Sequence, residues 1–123
     1  ELDYEYAAAF RNRGDAYYNK GEADKAIADY TRAVRLDPDD AAAYNQRGRA
    51  FGNKGEYDIA IADCTEALRL DPDDADAYHN RGLAYYGKKD YARARADWEK
   101  ALRLDPSHAA AQRRLEALQR EGY

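Results

Sequence analysis

Small and apolar side chains return along this chain at helical rather than alternating spacing. Between residues 41 and 53 they fall at Tyr44, Gly48 and Phe51, the i, i+4, i+7 stripe of a helix that buries one face. Asp40 stands just ahead of that stripe, where a side-chain oxygen can accept from a free N–H of the first turn. The stripe breaks at Asn53-Lys54-Gly55-Glu56, and Gly55 suits the left-handed backbone that ends many helices. A second stripe follows at Ala60, Ile61, Cys64, Ala67 and Leu68 and stops ahead of Pro72, because the residue before proline is pushed out of the helical region. Residues 41–74 are therefore predicted to form two helices joined by a short turn.

The same phrase is written three times. Leu36-Asp37-Pro38, Leu70-Asp71-Pro72 and Leu104-Asp105-Pro106 recur at a period of 34 residues. Gly14, Gly48 and Gly82 keep that period, as do Ala26, Ala60 and Ala94, and Ala33, Ala67 and Ala101. The units are 7–40, 41–74 and 75–108, with Lys89 in place of the turn glycine in the third. Each glycine follows an arginine (Arg13, Arg47, Arg81), and each arginine has an aspartate sixteen residues later: Asp29, Asp63 and Asp97. An antiparallel hairpin brings those two residues level. The spacing predicts an ion pair in every unit, with the arginine stem packed on neighbouring helices. The glycines are expected to face Ala26, Ala60 and Ala94 where the helices cross. Close approach there would offset the roughly 1 kcal/mol that glycine costs a helix relative to alanine.

Taken together, the period, the aromatic positions and the closing proline resemble the tetratricopeptide repeat. The first unit carries Phe10, Gly14, Tyr17, Ala26, Tyr30, Ala33 and Pro38; the second Tyr44, Gly48, Phe51, Ala60, Cys64, Ala67 and Pro72; the third Tyr78, Gly82, Tyr85, Ala94, Trp98, Ala101 and Pro106. Two features depart from that family's pattern: Cys64 replaces an aromatic residue, and arginine replaces the leucine usual before the glycine. The resemblance implies an all-α fold, a right-handed superhelical α-solenoid of antiparallel helix pairs with seven helices in a single domain over 1–123. Residues 109–121 are read as a capping helix that packs Leu115 and Leu118 inward and turns Arg113, Arg114, Gln119 and Arg120 to water. Residues 1–6 align with the tail of a preceding unit, with Tyr4 where proline stood, so the first helix is expected to extend back toward Asp3.

Composition narrows the chemistry. Alanine and tyrosine supply most of the apolar content, with twelve tyrosines, two phenylalanines and no methionine; many thin interfaces suit this better than one large core. The chain is 36% charged with a net charge of −4 and a pI near 5.2, which argues against nucleic acid or an anionic membrane as partner. No apolar run approaches the roughly 20 residues of a membrane span. Cys64 is the sole cysteine, so no disulfide forms within the chain; that fits a reducing compartment, and a cytoplasmic location is expected. Ser107, the one serine, has no base and orienting group around it. His79 and Asp76 make only a two-residue ligand set, and the Asp-Asp pairs at 39–40 and 73–74 lack calcium-loop spacing. Neither enzyme activity nor a metal or cofactor is expected.

Partner binding is the function the resemblance implies, with the first helix of each pair lining a concave face. The groove positions are then Ala8, Arg11, Asn12, Asp15, Tyr18 and Asn19; Ala42, Asn45, Gln46, Arg49, Gly52 and Asn53; Asp76, His79, Asn80, Leu83, Tyr86 and Gly87; and, from the cap, Ala110, Arg113 and Arg114. The amides can donate to and accept from a peptide backbone, and the tyrosines offer flat faces with polar tips. Arg11, Arg49, Arg113 and Arg114 outnumber Asp15 and Asp76, which favours an acidic segment or a C-terminus. The family includes modules that clamp the C-terminal carboxylate of heat-shock chaperones. At the clamp positions this chain has Arg11, Asp15, Gln46, Asp76 and Asn80; shifted by one unit, Asn45, Arg49, Asn80, Ala110 and Arg114. Two acids stand where a carboxylate would dock, so that clamp is not expected. The competing reading is a structural module, or an excised or engineered fragment without a dedicated ligand, that self-associates through the array ends, with Leu2, Tyr4, Tyr6 and the apolar side of the last helix as contacts.

Overall fold

A computed structural model describes residues 4–123, with side chains from Glu5 onward. The described residues form seven α-helices and no strand: α1 (Tyr4–Asn19), α2 (Ala23–Leu36), α3 (Ala41–Asn53), α4 (Tyr57–Leu70), α5 (Ala75–Gly87), α6 (Tyr91–Leu104) and α7 (Ala109–Arg120). Consecutive helices pack against each other along the chain, and α3 also touches α1 and α5. The odd-numbered helices thus form one layer of an all-α solenoid and the even-numbered helices the other. Helix α1 starts three residues ahead of Ala7, as the loss of proline at Tyr4 allows. Leu2, Asp3 and the Tyr4 side chain lie outside the described residues; Tyr6 is exposed. None of the described helices is long and apolar enough to cross a membrane.

Alanine makes the close packing possible. Ala26, Ala33, Ala43, Ala50, Ala60, Ala67, Ala77, Ala84, Ala94, Ala101 and Ala111 are all at most 2% exposed. The largest fully buried side chains are Trp98, Tyr30, Leu118 and Cys64. The core is therefore a row of small clusters, such as Ala33, Val34 and Ala43 with Phe10 and Tyr44, and Ala67, Leu68 and Ala77 with Tyr44 and Tyr78. Tyr44 belongs to both, which couples one unit to the next. At the end of the row Leu115 and Leu118 pack with Ala94 and Trp98, Leu118 buried and Leu115 half-buried.

The glycines face a different partner from the one expected. A methyl group on Gly14 would come within 2.6 Å of the Tyr30 ring, and one on Gly82 within 2.5 Å of Trp98 Nε1. On Gly48 it would meet Cys64 Sγ at 2.9 Å and the Ala60 carbonyl oxygen at 3.1 Å. Helical side chains lean toward the N-terminus of their helix, so residues 30, 64 and 98 reach back over the turn begun by Ala26, Ala60 and Ala94. Beside the small Cys64 the Ala60 backbone is among the nearest atoms.

Each hairpin turn closes in the same way. The N–H groups of Glu22, Glu56 and Asp90 donate to the carbonyls of Tyr17, Phe51 and Tyr85 at 2.9, 3.0 and 2.9 Å, the six-to-one bond of a Schellman motif. The residue before each donor is left-handed: Gly21 at φ 79°, Gly55 at 81° and Lys89 at 65°. Between pairs, the aspartate of each Leu-Asp-Pro accepts through Oδ1 from the backbone N–H two residues on, at Asp39, Asp73 and Ser107, and so turns the chain into the next helix.

Within each hairpin the arginine grips a buried carboxylate through two bonds. Arg47 Nε and Nη2 donate to Asp63 Oδ2 and Oδ1, both at 2.8 Å. The matching distances are 2.7 and 2.8 Å for Arg13 with Asp29, and 2.9 and 2.9 Å for Arg81 with Asp97. Asp29, Asp63 and Asp97 are 3%, 6% and 5% exposed, so the arginine compensates a charge that burial alone would penalise heavily. Each guanidinium also lies over a ring one turn earlier, Phe10, Tyr44 or Tyr78. The inner pairs receive one more contact, from Nη1 to Thr31 or Thr65 of the preceding outer helix at 3.3 Å. Among the described residues no such hydroxyl reaches Arg13, whose side chain is 54% exposed against 19% for Arg47 and 21% for Arg81.

Two stability measurements follow. In urea-unfolding double-mutant cycles, Arg47→Ala and Asp63→Ala should couple by about 1.5–3 kcal/mol, as a sheltered charged hydrogen bond does. Arg13 and Asp29 should couple less; equal coupling would refute the role of shielding. Lys89→Gly should raise stability by about 1 kcal/mol, the order of cost of holding a side chain in the left-handed region. No gain would mean that the Lys89 backbone carries no strain.

Candidate binding groove

The inner layer of helices walls an open cleft of about 450 Å³, lined by Tyr18 of α1, Asn45, Gln46, Arg49 and Asn53 of α3, Asp76, His79, Asn80 and Leu83 of α5, His108, and Ala110 and Arg114 of α7. A second hollow of about 240 Å³ shares Arg49, Asn53, Asn80, Leu83 and Arg114 with it and adds Gly48, Gly52, Tyr57, Ala84, Tyr86 and Gly87. Helical periodicity brings these residues together, because side chains three and four apart share a face. Gly87 makes room for the Tyr57 ring of α4, which a side chain there would strike.

Most polar side chains along this face already have internal partners. Arg11 Nη1 donates to Asp40 at 2.7 Å, and Tyr30 Oη donates to Asp15 at 2.5 Å. Asn53 Nδ2 donates to Tyr18 Oη at 2.5 Å, Asn80 Nδ2 to Asn45 Oδ1 at 2.9 Å, and Tyr86 Oη to Glu121 at 2.9 Å. Asp76 is held by His108 Nε2 at 2.6 Å. Burial and then the Asp15 contact keep the Tyr30 phenol protonated far beyond its ordinary range.

What is left over is concentrated at α3, α5 and α7. Arg49 Cζ lies over the Tyr18 ring, 3.9 Å from its centroid, a cation–π contact. Its Nε is buried without a hydrogen-bond partner. His79 Nε2 is likewise buried and unpaired. Burial foremost, then the neighbouring His108, pushes the His79 pKa down to about 4, so this ring is neutral near pH 7. Arg114 is exposed at the cleft wall.

Of the residues expected in the groove, Tyr18, Asn45, Gln46, Arg49, Asn53, Asp76, His79, Asn80, Leu83 and Arg114 meet in the main cleft, and Tyr86 joins through the adjoining hollow. Arg11, Asn12, Asp15, Asn19 and Arg113 line neither hollow; Arg11 and Asp15 are committed to Asp40 and Tyr30, while Asn12, Asn19 and Arg113 are exposed. His108 and Tyr57 are cleft residues that the groove-position pattern does not contain. His108 aligns with the capping residues Asp40 and Asp74, and that alignment was the available signal.

No other chemistry gathers here. Among the described residues no group of three or more His, Cys, Asp or Glu could hold a metal ion. Cys64 is fully buried, and desolvation pushes its thiol up to about 12, which leaves no thiolate at neutral pH.

Comparison with known proteins supplies the wider setting. A family model described as a TPR repeat matches residues 14–55 and 48–89, and one described as a tetratricopeptide repeat matches 75–108. No curated protein matches the chain. Among solved structures, the first TPR of Spaghetti (RPAP3) bound to the HSP90 peptide SRMEEVD is 27% identical, with a TM-score of 0.92 over 98% of this chain and 95% of that one. The Arabidopsis OM64 TPR domain is 31% identical, with a TM-score of 0.91 over 95% and 97%. The second TPR domain of human RPAP3, in complex with the HSP70 peptide SGPTIEEVD, is 29% identical, with a TM-score of 0.87 over 94% and 96%.

The buried imidazole has a measurable consequence. The His79 imidazole should take up its own proton with an NMR midpoint near pH 4. An unfolded chain takes up that proton near pH 6.5, so the His79 contribution to stability is complete above 6.5 and is lost as pH falls toward 4. A midpoint at pH 6 or higher would show that the ring is not desolvated.

Proposed function

The chain belongs to the tetratricopeptide repeat family, and on that footing we propose that it is a non-catalytic scaffold whose concave groove holds an extended acidic segment of a protein partner. Units 7–40, 41–74 and 75–108 build the groove, residues 109–121 close it, and residues 1–6 continue the pattern ahead of it. The observation that carries the reading is that Arg49 and Arg114 line the cleft beside Asn80 with no ion pair to an acid among the described residues, in a face whose other polar groups are largely satisfied internally. A guanidinium without an acidic partner keeps donors that a ligand carboxylate can accept from. Arg49 and Arg114 then take acidic side chains, Gln46 and Asn80 the ligand backbone, and Tyr18, Leu83 and Tyr86 its apolar groups. Arg11, Asn12, Asp15, Asn19 and Arg113 form the rim.

The related structures support an acidic peptide as the ligand class, since two of them hold peptides ending in EEVD. Asp15 and Asp76 speak against the same grip on a terminal carboxylate, because each places a negative charge where that group would dock. The segment is therefore read through its side chains.

Fluorescence anisotropy with labelled hexaglutamate amide tests this. Binding should weaken about tenfold with Arg49→Ala and again with Arg114→Ala, the scale of a charged hydrogen bond, and should fall with added salt. SRMEEVD should bind equally well as free acid and as amide. No hexaglutamate binding, or binding that survives both substitutions, would overturn the reading; a large loss on amidation would establish a terminal clamp instead.

A further inference from the structure

The helices α3, α5 and α7 are each capped by the residue at the same place in the repeat. Asp40 Oδ1 accepts from the Ala43 N–H at 3.1 Å and Asp74 Oδ1 from Ala77 at 3.2 Å. For α7 the residue is His108, whose Nδ1 accepts from the Ala111 N–H at 3.1 Å. An imidazole nitrogen accepts only when it carries no proton. The neutral ring must therefore hold its proton on Nε2, which donates to Asp76 Oδ1 of α5 at 2.6 Å. A single side chain thus caps the helix that carries Arg114 and fastens it to the helix that carries His79 and Asn80.

The surroundings determine what a second proton does. The groups facing His108 are Asp76 and His79 from α5, with the two imidazole centroids 5.1 Å apart, Asp105 from the bend and Arg114 from α7. Protonated at both nitrogens, the ring keeps its bond to Asp76 but turns an N–H toward the N–H of Ala111. The positive end of α7 opposes that charge. The ring then stays with α5 and the first turn of α7 loses its cap. A carboxyl cap, as at 40 and 74, undergoes no such reversal, because even when protonated it keeps an accepting carbonyl oxygen.

We propose that His108 is a proton-operated latch that positions α7, and Arg114 with it, in its neutral form and releases the first turn of α7 on acidification. His108 acts as a positioning residue. The consequence for ligand, a weaker grip on an acidic segment at pH 5 than at pH 7.5, rests on the groove reading above; the cap itself does not.

The test compares the wild type with His108→Asn, a cap that does not titrate. Exchange protection of the Ala111 amide, corrected for intrinsic rate, should fall about tenfold from pH 7.5 to 5 in the wild type, the scale of a lost cap. It should hold in His108→Asn, and the Ala43 and Ala77 amides should hold in both. Over the same range the affinity for hexaglutamate amide should fall further in the wild type than in His108→Asn, which cancels protonation of the probe. Constant Ala111 protection, or an equal fall in the variant, overturns the latch. Ala111 opening with no difference in affinity between the two proteins overturns the positioning of Arg114. Absence of hexaglutamate binding at every pH overturns the groove reading, while the Ala111 amide still decides the latch.

Discussion

Each hairpin of this solenoid is organised around a carboxylate that the fold removes from water. Asp29, Asp63 and Asp97 are buried on the outer helices, where an unpaired charge would be strongly destabilising. The arginine of the inner helix answers with two parallel bonds, and only one register of the two helices allows both. Register in turn places the glycine, five residues before the end of the inner helix, against Tyr30, Cys64 or Trp98. The ion pair and the close crossing therefore specify the same geometry, and the aromatic rings beside the guanidinium shelter it further.

Repetition turns that local geometry into a groove. Because the hairpins are alike, their inner helices stack in register and their equivalent side chains line up in rows. The rows are not uniform, and function resides in the differences. The first inner helix has spent its charges on Asp40 and Tyr30. The second and the cap place Arg49 and Arg114 at the cleft without an acidic partner among the described residues, so the positive end of the groove lies toward α7. Tyr18 contributes by crossing from one unit to support Arg49 in the next.

Much of this was legible in the residue pattern. A 34-residue period with a proline at each close, a glycine at each crossing and a capping aspartate ahead of α3, α5 and α6 leaves little freedom for the helix boundaries, because those residue types act through local backbone conformation. The sixteen-residue spacing of arginine and aspartate could be read in the same way, since an antiparallel hairpin maps sequence separation onto height. The nearest partners of the glycines are Tyr30, Cys64 and Trp98, with Ala60 also against Gly48; spacing pointed to the alanines alone, because it does not tell how far a side chain leans along its helix. His108 was passed over because its role appears only when the cap of one helix and the face of another are seen together.

The sequence by itself determined the number of helices, the order in which they pair and the residues that close each turn, all consequences of contacts between residues near in sequence or related by the repeat. Only the tertiary structure decided which groove residues are occupied. Arg11 and Arg49 are equally basic on paper, yet one reaches Asp40, twenty-nine residues away, and the other is held on Tyr18 with its Nε unanswered. That distinction depends on where long side chains end in space, and rotamers chosen by packing between units, not the identity of the residues, set it.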